Sequence, residues 1–211
     1  MVLIFIRITK RNLNYLAHAY LSFGHPEILV GNMVSDFVKG KKKFDFPEDI
    51  QKGIALHRSI DNFTDFHEAT KEAKEVFRAH YRLYSGAFVD VVYDHFLATD
   101  ESEFNQQSLF ELSLQVYADI DRHTAWLPER FARLFPYMKS QNWLFNYQAS
   151  PWVARSMEGV VRRSAYLVES DTAFQIFEQH YQLLQQCYRQ FWKDMKPFAK
   201  EQFELLTLRN P

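Results

Sequence analysis

The sequence predicts an all-α fold, a single-domain helical bundle, and three observations carry that reading. Apolar residues recur at intervals near 3.6 along most of the chain. Strand-like alternation is hard to find after residue 12, and only 6 Gly and 7 Pro punctuate 211 residues. No Pro-, Gly- or Ser-rich linker divides the sequence, so one domain is expected over 13–211.

The elements follow in order. Residues 1–12 form an extension whose apolar run VLIFI is too short to cross a bilayer, is interrupted at Arg7 and precedes no cleavage site. It reads as a short strand or an unfolded extension rather than a signal. Helices are expected over 14–23, 26–39, 47–63, 67–83, 85–99, 106–122, 127–145, 150–164 and 170–199. Pro26 and Pro47 suit a first turn, Ser150 before Pro151 suits an N-cap, and Asp171 lies near the last start. Pro136 is expected to break the seventh helix. KGKKK, at 39–43, reads as a solvated loop whose charges favour a helix C-terminus.

Composition excludes several classes. With 47% hydrophobic and 24% charged residues the chain is globular, not disordered, and 20 Phe with 11 Tyr point to a ring-filled core. A net charge of -1 does not advertise a nucleic acid, and no segment calls for a membrane. A single cysteine, Cys187, excludes an internal disulfide and fits a reducing compartment, so a cytoplasmic location is expected. The chain has no P-loop, dinucleotide fingerprint, nucleophile elbow or paired-cysteine motif.

Four of the expected helices share an oddity. Asn14 and His18, Asn32 and Asp36, His57 and Asp61, and Asp90 and Asp94 are each four apart in apolar surroundings, and His95 follows Asp94. Residues four apart share a helix face, so each helix presents a stacked polar pair. His57 and Asp61 fall on the stripe of Ile50, Ile54 and Thr64, which is the buried side. One such pair is most simply a hydrogen-bonded core pair. Four together are better explained by convergence, because an unpaired buried carboxylate costs several kcal/mol. Helical bundles build metal sites in this way, and imidazole with carboxylate and no thiolate suits Mn, Fe, Mg or Zn. Phosphoester hydrolysis is the natural chemistry for such an ion.

The segments NYLAHAYLS (14–22), GNMVSDFVKG (31–40), GIALHRSIDNFTDFH (53–67), DVVYDHFLA (90–98) and EGVVRRS (158–164) occur in the order, and near the spacing, of one family. The chain resembles the acyl carrier protein phosphodiesterases, which look like divergent relatives of the all-helical HD-type metallophosphohydrolases. The resemblance implies hydrolysis of the phosphodiester that joins 4′-phosphopantetheine to a serine of holo-acyl carrier protein, with Mn²⁺ as the favoured ion. By motif position it implies Asp36, His57, Asp61, Asp94 and His95 as principal metal candidates and His18 as the next. Asp36, His57, Asp61 and Asp94 are the implied catalytic residues, and Asn32 and Asp90 are implied supports behind the ligands. Arg58, Arg162 and Arg163 are candidates for the substrate phosphate. Lys39 and the neighbouring lysines are candidates for steering an acidic carrier. Members of the family begin with a Met where Leu13 stands here, so translation from Leu13 is a further expectation. Two alternative functions are an HD-like hydrolase of a nucleotide or other small phosphoester, and a non-catalytic carrier-protein binder.

Overall fold

Residues 14–208 are described in a computed structural model of the chain, and among them there are helices and connections but no strand. The VLIFI run and the expected start at Leu13 lie outside the described residues. The α-helices are α1 (Tyr15–Tyr20), α2 (Pro26–Val34), α3 (Glu48–Phe66), α4 (Glu68–Tyr81), α5 (Ser85–Ala98), α6 (Gln106–Arg122), α7 (Glu129–Ser140), α8 (Trp143–Asn146), α9 (Ser150–Arg163), α10 (Asp171–Gln179) and α11 (Tyr181–Thr207). The all-α reading therefore holds. No helix among the described residues is long and apolar enough to cross a membrane.

Local chemistry explains the starts. Pro26 opens α2 with Glu27 in its first turn, Glu48 and Asp49 open α3, and Asn105 with Ser108 forms a reciprocal capping box on α6. At α9 the cap position is Ala149, and Ser150 is already helical.

Three expected boundaries are corrected. The second helix stops at Val34, where a 3₁₀ turn over Ser35–Phe37 and an extended Val38 lead to Gly40 at φ +55°. That backbone is one a side chain would strain, so the turn out of α2 is written at Gly40. Pro136 does not break α7, which runs on to Ser140. Pro136 and Ala132, whose carbonyl it cannot bond, are both exposed, so that carbonyl meets water. The expected 170–199 helix bends at His180, where Phe177 and Tyr181 close on the ring of His95, and α11 then continues through exposed Pro197 to Thr207.

The core runs between α3, α4, α5 and α11, with α1 held against both α2 and α5. α2 lies along α3 more extensively than any other pair of helices. Two glycines permit that approach: a β-carbon on Gly31 would sit 2.0 Å from the Ile50 carbonyl oxygen, and one on Gly53 would sit 2.2 Å from that of Ile28. Gly31 precedes Asn32 and Gly53 lies one turn before His57. The same crossing therefore sets the distance between the polar groups of α2 and those of α3.

Candidate metal centre

His18 of α1 and His57 of α3 are buried, and their rings stack with centroids 3.9 Å apart and planes 16° from parallel. Asn32 of α2, completely buried, holds both. His18 Nδ1–H donates to Asn32 Oδ1 at 2.7 Å, and His57 Nδ1–H donates to the Asn32 backbone carbonyl at 2.7 Å. The Asn32 amide is fixed in turn, since its Nδ2 donates to the His18 carbonyl at 2.9 Å and to Ser22 Oγ at 3.1 Å. Ser22 Oγ–H donates to the His18 carbonyl at 2.8 Å. With both Nδ1–H groups donating, each imidazole in its neutral form presents the lone pair of Nε2 on the other side.

Those lone pairs meet carboxylates. His57 Nε2 is 3.2 Å from Asp61 Oδ2 and 3.5 Å from Asp36 Oδ1, and His18 Nε2 is 3.3 Å from Asp61 Oδ1. None of these contacts is aligned as a hydrogen bond: His18 Nε2, His57 Nε2 and Asp61 Oδ1 are buried without a hydrogen-bond partner. Donor atoms of His18, His57 and Asp61 lie within 4.8 Å of one another, the spacing of a shared cation. Buried polar atoms left unpaired cost about 1–3 kcal/mol each and are rare in native folds. Three aimed at one point fit a divalent ion held by two nitrogens and a carboxylate. Asp36 and Asp61 side chains are 19% and 26% exposed, so the cluster opens toward solvent on its acidic side.

The electrostatics agree. Burial pushes His57 down, but Asp61 and Asp36 outweigh it and hold the imidazole up at about 10. Burial, followed by the charge of His57, pushes His18 below its ordinary value. Burial would raise Asp61, yet His57 and His18 hold it far below the usual carboxylate range. Without an ion, one proton on His57 partly substitutes for it.

α5, which carries Asp90, Asp94 and His95, packs against α1. Both oxygens of Asp94 accept backbone N–H groups of α1, Oδ2 from Leu16 and Oδ1 from Ala17, each at 2.9 Å. Burial nonetheless pushes the carboxyl well above its ordinary value, against those two bonds. His95 Nδ1–H donates to the Tyr147 carbonyl at 2.9 Å, and its Nε2 meets Tyr181 Oη at 3.3 Å. Neither residue enters the His18–His57–Asp61 group. The polar atoms of both side chains have protein partners, whereas the forward atoms of the cluster have none. Asp90, also buried on α5, bears on Asp94 and Tyr93.

The remaining candidates spread out. Arg58 is exposed beside His57, with Nη2 donating to the Val38 carbonyl at 3.3 Å, and Lys39 is exposed after the turn that carries Asp36. Arg162 pairs with Glu158 at 2.9 Å on α9, and Arg163 lies along Gly159 of the same helix, which packs on α5 and α10. Asn14 stands at the N-cap position of α1 without a side-chain capping bond, and it borders a small internal gap with Thr64 and Tyr93. His67 caps α4, its Nδ1 accepting from the Ala69 amide at 3.2 Å. Ser22 was not singled out by the sequence reading, although its place four residues after His18 was a usable signal.

Comparison with known proteins places the chain in a family. A model of the family described as acyl carrier protein phosphodiesterase matches residues 13–195. A protein of that description from Yersinia pestis is 34% identical over 184 residues, covering 87% of this chain and 95% of its own length. Another from Photorhabdus laumondii is 31% identical, covering 91% of this chain and 96% of its own length, and one from Escherichia coli is 30% identical over 87% and 95%. No solved structure matches. On these matches the chain belongs to the acyl carrier protein phosphodiesterase family.

Proposed function

We propose that this protein is a divalent-metal-dependent phosphodiesterase that cleaves 4′-phosphopantetheine from the serine of holo-acyl carrier protein, leaving apo-carrier. The observation that carries the reading is the convergence of three buried, unpartnered donor atoms from α1 and α3 in a chain of this family. His18, His57 and Asp61 hold the ion, for which nitrogen and oxygen donors without thiolate suit Mn²⁺. When bound, a divalent ion polarises a phosphoryl oxygen and makes a water acidic enough to react near neutral pH.

The chain's own groups do the rest. Asn32 keeps both imidazoles turned with Nε2 toward the cluster. Asp36, on the open side, takes the proton of the attacking water. As the water oxygen bonds to phosphorus, the P–O bond to the serine breaks, and the serine oxygen leaves with a proton from solvent. Arg58 and Lys39 at the mouth draw in the phosphodiester and the acidic surface of the carrier. No protein nucleophile is invoked: Cys187 is buried on α11, and burial pushes its thiol up to about 11.

Intact-mass analysis of holo-acyl carrier protein after incubation with the protein, with Mn²⁺ or with chelator, tests the reading. Mn²⁺-dependent loss of the phosphopantetheine mass is expected. An unchanged mass with Mn²⁺ bound contradicts it.

A further inference from the structure

A groove of about 420 Å³ lies against the segment that follows Asp36, a volume within the range of small-molecule sites. Phe37, Val38, Phe46, Trp126 and Leu127 are among the residues that line it. Size does not single it out, since a depression elsewhere on the surface reaches about 370 Å³. Continuity does: Phe37 directly follows Asp36 in the chain, and the guanidinium of Arg58, the neighbour of His57, is bonded to the Val38 carbonyl at 3.3 Å. The charged groups on its rim cancel, Lys42 and Arg130 against Asp45 and Glu129.

We infer that this groove seats the pantetheine arm of the substrate, an inference that rests on the phosphodiesterase reading above. The arm is uncharged and flexible, with a geminal dimethyl group, two amides and a terminal thiol. A groove whose charges balance and that is lined by aromatic and aliphatic side chains matches that chemistry. An acidic carrier helix needs a net positive lining instead, and the lysines that supply one, Lys39, Lys41 and Lys43, are not part of the groove. With the phosphodiester at the ion cluster and Arg58 beside it, the dimethyl end of the arm enters at Phe37 and Val38. The carrier then rests over the lysine-rich turn.

Trp126, 39% exposed in the groove and one of 4 tryptophans, reports occupancy. The test is to titrate 4′-phosphopantetheine into ¹⁵N-labelled protein and follow the indole N–H signals, with Trp126 identified by its loss in Trp126→Phe and inorganic phosphate as the control. A saturable shift of Trp126 with 4′-phosphopantetheine but not with phosphate is expected. No shift, an equal shift with phosphate, or a shift confined to Trp143, Trp152 and Trp192 overturns the inference. In Trp126→Ala, the ratio of holo-carrier turnover to turnover of bis(4-nitrophenyl) phosphate, which has no arm, should fall about tenfold, or roughly 1.4 kcal/mol of arm binding. Intact holo-carrier alongside a responsive Trp126 sinks the catalytic reading and keeps the groove. Hydrolysis with a silent Trp126 and an unchanged ratio does the reverse.

Discussion

The cluster made by α1, α2 and α3 and the polar run of α5 look alike in sequence and differ in kind. Each sets His and Asp side chains into apolar helix and buries its histidines. On α5 the polar atoms of Asp94 and His95 are claimed by protein, Asp94 by two amides of α1, and His95 by Tyr147 and Tyr181. In the cluster the rear nitrogens are claimed, by Asn32, and the forward atoms of His18, His57 and Asp61 are not. Burial of a polar group is therefore not the mark of a ligand. The mark is burial with a satisfied back and an unsatisfied front, a geometry that holds the side chain still for something absent from the chain itself.

The largest break in this contrast is expected from Asp61→Asn, which keeps the shape and removes the charge shared by the two imidazoles. Hydrolysis of holo-carrier should fall by about 10²–10³-fold or more, the scale seen when a charge-stabilising group is lost, and folding should be retained by circular dichroism. Asn32→Ala comes next. It frees His18 Nδ1 and removes the amide bonds to the His18 carbonyl and Ser22, while His57 keeps the Asn32 backbone carbonyl, and titration calorimetry should show Mn²⁺ affinity reduced by about 10–100-fold.

A pH series sharpens the same point. Because His57 is held at about 10 in the ion-free protein, it carries a proton at pH 7–8 that an incoming ion must displace. Mn²⁺ affinity should rise about tenfold per pH unit over that window, with about one proton released per ion, visible as a buffer-dependent heat. Without the ion, the contribution of His57 to stability is complete below its unfolded pKa of about 6.5 and is lost as pH rises through about 10. The smallest effect on binding is expected on α5. His95→Phe should leave Mn²⁺ affinity within about twofold, since it shares no partner with the cluster. Asp94→Asn turns an amide donor toward Leu16 or Ala17 and should cost about 1–3 kcal/mol of stability by urea denaturation while Mn²⁺ still binds.

Much of this was legible before any coordinates. Periodicity and sparse Gly and Pro sufficed for the helices, because most bury a continuous stripe. Their ends were less so: Pro136 and Pro197 are tolerated only because the carbonyls they cannot bond face water, and exposure of a single carbonyl is not encoded in local pattern. His57 and Asp61 could be read as a pair from their shared stripe on α3. The role of Asp94 could not, since its partners lie 77 and 78 residues away. Spacing finds buried polar groups, and only the fold decides which remain unsatisfied.

The most direct test of the cluster is pulsed EPR of Mn²⁺ bound to the protein. Nitrogen couplings from two imidazoles are predicted, one lost in His18→Ala, one lost in His57→Ala, and both retained in His95→Ala. Couplings that survive the first two substitutions and vanish in the third would place the ion on α5 and contradict the account.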